Sequence, residues 1–540
     1  MIRISPQKSS FCLELDSIAP DKSISHRSAM FALLCDKPSI VYNYLQAKDT
    51  LDTLNIAKIL GLSVKSSIDS NGKIMLKLTP PKEFIEPNCV LDCGNAGTAM
   101  RLYIGLLAGL AGSQKYIHSQ KSNKKNGKNI NDFGTNSADS VISQNSSGFY
   151  SVLSGDRYLC ARPMNRVIKP LQNIGATIFS RSGGLAPLSI ISKQLDGFSY
   201  TSEVASAQVK SAMILSALHA KSSSTYIEPS LTRAHTESML LGMNAPIKIE
   251  NLNDTNANKN PHKQNPTTQN LGKQSLAKQN PATQSVETQN LSGRKIHISP
   301  LERALEPLDF SVPCDPSSAF YFALATAITP NSEILLKNVA LNPTRIEAYK
   351  VLEKMGAKVR YENVKTKYEE VGDIYVASGN LAGVKVEENI AWLIDELPAL
   401  SIAMALANGI SEVKNAKELR VKESDRIKAV LSNLNALGVE YEEKDDGYVI
   451  YGGGFFRHTK RLESSSDFAL DSSRTKSNNK KSNQTNKIPQ IHSFGDHRIA
   501  MSFAIAGIIT PLQIDDESCI NISFPNFLQI LSQIANITTT

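Results

Sequence analysis

Four stretches of this 540-residue chain share one grammar. Ile56 to Lys65, Leu171 to Arg181, Val351 to Tyr361 and Leu431 to Glu442 each run a helix-period apolar segment into a glycine and then into an alternating strand. The glycines are Gly61, Gly175, Gly356 and Gly438, and Leu240-Leu241-Gly242 is a degenerate fifth copy. A glycine just past the last helical turn supplies the left-handed cap that ends a helix before a strand. A helix-strand unit repeated at irregular spacing, with βαβ-type pieces between the copies, points to an α/β protein whose helices pack as a layer or core against sheets. How the units associate stays open at this level.

Three segments break the pattern. Residues 113–149 and 457–489 are rich in Ser, Asn and Lys, and residues 251–292 in Asn and Gln. None has a helix or strand period, and none buries enough to offset its ordering entropy, so they are expected to be disordered insertions, solvated loops on the surface. The remainder is long enough for two or more domains with cores of their own.

Composition removes several classes of function. A net charge of +8 with 6% aromatic residues does not suit an extended nucleic-acid surface, whereas small anionic substrates would suit it well. The seven cysteines are scattered and odd in number, so no disulfide framework is implied, and Cys89 and Cys93 are expected to be buried apolar residues. Met1 to Pro20 has neither a signal-peptide core nor transit-peptide composition, and the longest apolar run, Ile499 to Ile509, is too short to span a bilayer. A cytoplasmic protein without a membrane or nucleic-acid partner is expected.

A second pattern is chemical. Asp21 to Arg27 opens a helix with Lys22 and Arg27 at the end where the macrodipole is already positive. A solvated basic helix start and an anion cradle both fit that stretch. Gly94 to Arg101 is a small-residue turn before a helix, and Arg162 stands before Pro163, which is expected to start another. Ser206 and Gln208 open a further helix, and Thr232 to His235 has imperfect capping-box spacing beside Arg233. Asp395 precedes an apolar helix as an N-cap would, while Lys422, Glu423 and Arg426 lead into an amphipathic one. Asp496-His497-Arg498 precedes the last. Arg27, Arg101, Arg426 and Arg498 thus all fall near predicted helix starts, each at a cost of a few tenths to ~1 kcal/mol. A chain that repeats an unfavourable placement has compensating anions, so a multi-phosphate or phosphate-plus-carboxylate site is expected.

In this order DKSISHR (21–27), GNAGTAMR (94–101), ARPM (161–164), SAQVKSA (206–212), DELPA (395–399), RVKESDR (420–426) and GDHR (495–498) resemble the motifs of the enolpyruvyl transferase family, in its branch acting on shikimate 3-phosphate. The resemblance implies an α/β chain with a two-domain inverse α/β fold, each half built from three βαβαββ units. Residues 1–21 plus 313–540 would form one half and 22–312 the other, the chain crossing near residue 21 and near Val312. It implies transfer of the enolpyruvyl group of phosphoenolpyruvate to the 5-hydroxyl of shikimate 3-phosphate, releasing phosphate, by addition and elimination in an interdomain cleft. That step belongs to chorismate and aromatic amino-acid biosynthesis. By the same resemblance Asp395 is the base, with Glu423 and Lys22 as proton-transfer partners. Shikimate 3-phosphate would meet Lys22, Ser23, Arg27, Ser206, Gln208, Arg233, Asp395 and Lys422, and phosphoenolpyruvate Lys22, Gly97, Arg162, Gln208, Arg426 and Arg498. No metal or organic cofactor is implied, and a monomer is expected.

Four positions depart from the family pattern. Pro20 stands where glycine is usual, Tyr158 replaces a commoner serine, Ala234 replaces an aspartate beside Arg233, and Ile522 to Pro525 lacks a lysine that some members place on phosphoenolpyruvate. Two alternatives remain. The sister transferase acting on UDP-N-acetylglucosamine would use a reactive loop cysteine and lacks the Ser-Ile-Ser-His-Arg stretch; Cys160 stands in a different setting. A catalytically inactive binding homologue is opposed by the joint presence of Lys22, Asp395, Glu423 and Arg426.

Overall fold

The computed structural model describes residues 1–69, 74–113, 149–252, 293–453 and 488–539. The insertions expected at 113–149, 251–292 and 457–489 lie, apart from a few end residues, outside the described residues.

Among the described residues, six four-stranded sheets are wired alike. In one, Leu91–Asp92 and Tyr150–Ser154 run parallel, while Thr177–Arg181 and Leu185–Ile191 form a hairpin whose second strand pairs antiparallel with Tyr150–Ser154. Helix Gly97–Gly109 joins the parallel pair and Asn165–Asn173 leads to the hairpin, giving β-α-β-α-β-β. Parallel neighbours need such a crossover and hairpins do not. Three sheets are completed by distant strands. Asp309–Ser311 lies beside Ser39–Tyr42, Cys12–Leu15 beside Glu333–Ala340, and Ile2–Pro6 between Leu512–Ile514 and Ala535–Thr539.

The helices are inside. Pro316–Ile328 is buried along its whole length and Gly97–Gly109 and Leu397–Leu406 nearly so. A helix apolar on all sides belongs in the middle of a core, and each sheet turns one alternating face to it, as Ala186, Leu188 and Ile190 do. Buried apolar side chains form two clusters. One comes almost wholly from between Ile24 and Val312; the other comes from Ile2 to Ala19 and Cys314 to Ala535, with Leu45 and Ala47. Close packing sets the helix starts side by side: a Cβ on Gly105 would stand 2.2 Å from the carbonyl oxygen of Ala212, so helices Gly97–Gly109 and Ala207–Ala217 meet backbone to backbone.

The two crossing segments pair with each other. Asp21 N–H donates to Pro313 at 2.7 Å and Asp315 N–H to Ala19 at 2.9 Å, flanking an antiparallel bridge between Pro20 and Cys314. Pro20 therefore occupies a position where the ladder asks for no N–H, and its ring is accommodated.

Gly61, Gly175, Gly356 and Gly438 have φ of 109°, 95°, 119° and 76°, as the repeat requires. Several expectations are corrected. Gly242 stays within helix His235–Gly242, and Asn244 makes the left-handed turn at φ 59°. Thr232 caps nothing, because Glu228 takes its N–H and hydroxyl at 3.3 and 2.9 Å, and the N-cap residue is Ala234. Pro163 lies outside helix Asn165–Asn173, whose N-cap is Met164. Cys93 is buried but Cys89 is exposed, and no disulfide joins any two of the seven cysteines.

Candidate active site

A cleft of about 240 Å³ opens between the two halves. Its lining carries ten Lys or Arg side chains against four Asp or Glu, an excess that Asp21, Asp49 and Asp496 behind the lining offset only in part and that suits anionic ligands. Helices Lys22–Ala32, Gly97–Gly109 and Ala207–Ala217 start on one side of it, and Pro316–Ile328, Leu397–Leu406 and His497–Ala506 on the other. These helix N-termini add their partial positive charge to the cations.

On the first wall, Asp21 caps its helix through Ile24 N–H at 2.7 Å, which fixes the backbone direction at Lys22. The Lys22 ammonium contacts Asp49, a carboxylate that is 3% exposed. Burial pushes the Asp49 carboxyl up, but Lys22, His26 and His497 together hold it below its ordinary value. Arg27 is 3% exposed, and its three nitrogens reach Thr236 Oγ1 at 2.8 Å, Ser211 Oγ at 3.1 Å and the Ser23 carbonyl at 3.0 Å. Burial lowers its pKa to about 10. Arg101 donates to Gln208 Oε1 at 2.8 Å and Gln208 to Thr98 Oγ1 at 3.0 Å, so the glutamine amide is locked in one orientation. Ser206 caps the helix carrying Gln208. Gly97 itself does not line the cleft: a Cβ there would meet Arg101 Nη1 at 2.8 Å and Arg162 Nη1 at 3.6 Å, so its smallness makes room for two guanidinium groups.

The second wall is organised by Arg426, which is 1% exposed and shared among three carboxylates. Its Nε reaches Asp496 at 2.9 Å, Nη1 reaches Asp395 at 3.2 Å, and Nη2 reaches Glu423 at 2.7 Å. Asp496 also caps helix His497–Ala506 through Arg498 N–H at 2.9 Å, so one carboxylate orients both arginines. Asp395 is not an N-cap as the sequence suggested: Glu396 holds that position without a side-chain cap bond, which leaves the Asp395 carboxylate facing the cleft.

Carboxylates of one half meet cations of the other. Arg233 Nη2 lies 2.6 Å from Asp395 Oδ2, Arg162 Nη1 3.8 Å from Glu423, and Arg166 Nη1 3.4 Å from Glu418, which also accepts from Lys422 Nζ at 2.9 Å. Arg498 Nη2 stands 4.0 Å from Asp395. Burial would raise the Asp395 pKa, but Arg233, Arg498, Arg426 and Lys422 hold it well below the carboxylate range. Glu423 is likewise pushed up by burial and more strongly down by Arg426, His497 and Arg162. Both are weak proton acceptors while those cations face them. An anion that draws the guanidinium groups to itself returns basicity to the pair, so the site can couple ligand binding to proton transfer.

Every residue expected at the site except Gly97 lines this cleft. The cleft also contains Thr98 and Arg101 of the small-residue turn, and Arg166, Asp315, Arg345 and Glu418, which no sequence motif above includes. Arg166, four residues after Arg162, could have been found by helix spacing, and Asp315 before Pro316-Ser317-Ser318 by its capping signature. Of the departures, Tyr158 is exposed beneath the Arg157 guanidinium at 4.7 Å, and Phe524 packs on Phe527 in the core, away from the cleft.

A family model described as EPSP synthase (3-phosphoshikimate 1-carboxyvinyltransferase) matches residues 14–118, 139–271 and 283–531. The 3-phosphoshikimate 1-carboxyvinyltransferase of Wolinella succinogenes is 45% identical over 536 residues, covering 99% of this chain and 97% of that protein. That of Helicobacter hepaticus is 44% identical over 540 residues, with 99% and 98% covered. A solved EPSP synthase from Acinetobacter baumannii superposes with a TM-score of 0.70 at 29% identity, covering 100% of this chain and 99% of that one.

Proposed function

Because the chain belongs to the EPSP synthase family, we propose that the cleft residues described above carry out that family's reaction. The protein is a 3-phosphoshikimate 1-carboxyvinyltransferase, joining phosphoenolpyruvate to shikimate 3-phosphate in aromatic amino-acid biosynthesis. The observation that carries the assignment of roles is the pair of carboxylates, Asp395 and Glu423, held on one buried arginine between two cationic walls.

In this reading Asp395 takes the proton of the 5-hydroxyl as its oxygen adds to C2 of phosphoenolpyruvate. Glu423 delivers a proton to the methylene carbon, which becomes a methyl group. The tetrahedral adduct then loses a methyl proton and expels phosphate with the C–O electron pair, leaving the enol ether. Lys22, paired with Asp49, sits where both substrates can be reached and assists proton transfer. Ser23, Arg27, Ser206, Gln208, Arg233 and Lys422 hold shikimate 3-phosphate. Arg162, Arg426 and Arg498, with Gln208, hold phosphoenolpyruvate, and Gly97 leaves the room that the Arg101 and Arg162 guanidinium groups occupy. Two polyanions at close range repel by several kcal/mol at intermediate dielectric, so the cation excess is a precondition of the complex. Binding releases Asp395 and Glu423 from Arg233, Arg162 and Arg426, which gives each carboxylate its proton affinity when substrate is present.

We take residues 1–21 plus 313–540 and residues 22–312 as the two bodies that bound the cleft, supported by the two apolar clusters. Both walls come from one chain, which supports a monomer as the working unit. No described helix is long and apolar enough to cross a membrane, and seven cysteines without a disulfide fit a reducing cytoplasm. Phosphate release from phosphoenolpyruvate tests the assignment: shikimate 3-phosphate is expected to support it and UDP-N-acetylglucosamine not. Release with the nucleotide sugar alone, or with neither, would overturn it.

A further inference from the structure

Arg345 is 2% exposed and is linked, directly or through one side chain, to residues close in the chain to Lys22, Arg233 and Asp395, as the following contacts show. Its Nη1 donates to Asp21 Oδ2 at 3.1 Å, and Asp21 precedes Lys22 and caps its helix. Its Nη2 donates to Asp315 Oδ1 at 2.9 Å; Asp315 caps Pro316–Ile328 and through Oδ2 accepts the Lys22 N–H at 3.3 Å. Nη2 also reaches Ser317 Oγ at 2.9 Å, and that hydroxyl donates to Glu396, the residue after Asp395. Nη1 lies 2.9 Å from His235 Nε2, two residues beyond Arg233. One planar fork therefore meets the N-caps of two helices from opposite halves, at the paired crossing segments.

The chemistry of these contacts fixes a protonation state. An arginine only donates, so His235 Nε2 must present its lone pair, and the imidazole proton sits on Nδ1, donated to Glu369 Oε1 at 2.7 Å. Glu369 is anchored in turn by Asn342 Nδ2 at 3.0 Å. Thr236, the next residue, accepts from Arg27 Nε at 2.8 Å, so the arrangement extends to that arginine as well.

We propose that Arg345 is a positioning residue for the transfer: it sets Lys22, Arg233 and Asp395 relative to one another across the crossover through Asp21, Asp315, His235 and the Ser317–Glu396 link. The inference rests on the reading of those three residues as site residues. Lysine at 345 keeps the charge, but one ammonium cannot present two parallel N–H edges to four acceptors. Arg345→Lys is expected to fold and to lose at least tenfold in kcat, with KM for shikimate 3-phosphate raised. Glu369→Gln, outside the cleft, weakens the bonds to His235 and Asn342 while leaving the Arg345 contacts with Asp21, Asp315 and Ser317 in place, and is expected to lose three- to tenfold in the same direction. Selective ¹⁵N-histidine labelling supplies a readout independent of turnover: His235 should be the Nδ1–H tautomer in the parent protein and a mixture of tautomers in Arg345→Lys. Unchanged kcat and KM in both folded variants, or an Nε2–H tautomer at His235 in the parent, would overturn the inference. Absence of phosphate release by the parent protein would instead overturn the reading of the site, and the tautomer measurement would still judge Arg345.

Discussion

Removing Arg233 should move the pH at which the enzyme gains its base. Arg233 Nη2 stands 2.6 Å from Asp395 Oδ2, with side chains 20% and 19% exposed. Two unit charges ~4 Å apart at an effective dielectric of ~20 interact by about 4 kcal/mol. Partial exposure screens this to about 1–2 kcal/mol, and at about 1.4 kcal/mol per pKa unit that is roughly one unit. In Arg233→Gln the Asp395 pKa should therefore rise by about one unit, while Arg426 at 3.2 Å and Arg498 at 4.0 Å keep it depressed. A higher pKa means that the carboxylate ionises only at higher pH, so the acid limb of kcat/KM should shift upward by about one pH unit. The plateau should fall about 10- to 100-fold as a charge-assisted bond to the shikimate phosphate is lost. Steady-state phosphate release, followed from neutral pH as far into the acid range as the protein stays folded, where the depressed Asp395 carboxyl titrates, and varied in shikimate 3-phosphate, reads both effects. A lowered plateau with an unmoved acid limb would refute the electrostatic control of Asp395 by Arg233.

Gly97→Ala places a methyl group 2.8 Å from Arg101 Nη1; it should raise KM for phosphoenolpyruvate about tenfold and KM for shikimate 3-phosphate much less, as substrate titrations will show. Pro20→Gly should unfold about 0.4–1 kcal/mol more easily in urea, since the bridge with Cys314 needs no N–H at that position and glycine adds only unfolded-state freedom. His26 and His497 are held at about 3 and about 4, by burial first and then by Lys22 and Arg498 respectively. Both folded values lie below the unfolded value of 6.5, so the unfolded chain binds more protons and stability falls as pH drops from about 6.5 towards 4. Thermal melts across that range should show a steady loss, and His26→Gln should flatten it.

Local chemistry made part of this legible. Gly61, Gly175, Gly356 and Gly438 announce their left-handed caps because the constraint acts within one turn of chain. The cationic helix starts were visible for the same reason: the mismatch of Arg498 with its own helix is a property of neighbours. Partnerships between residues distant in the chain were not visible. Lys22 meets Asp49, Arg233 meets Asp395 and Arg345 meets Asp21 only through tertiary packing, and nothing at Asn342-Pro343-Thr344-Arg345 marks the arginine as buried. Capping was misread for a related reason. Asp395 and Thr232 have residue types suited to an N-cap, but Arg426 and Glu228 compete for their oxygens or donors and win. A cap bond contributes about 1 kcal/mol, less than burying an arginine among carboxylates demands.

In the proposed reaction the transfer proceeds by adding a proton to the methylene carbon of phosphoenolpyruvate and later removing one. Running the reaction in D₂O and reading the product by ¹H NMR tests it directly. The account predicts deuterium in the vinyl methylene of the enol ether alongside released phosphate, and loss of both in Glu423→Gln. Phosphate and enol ether formed at full rate with an undeuterated methylene would contradict it.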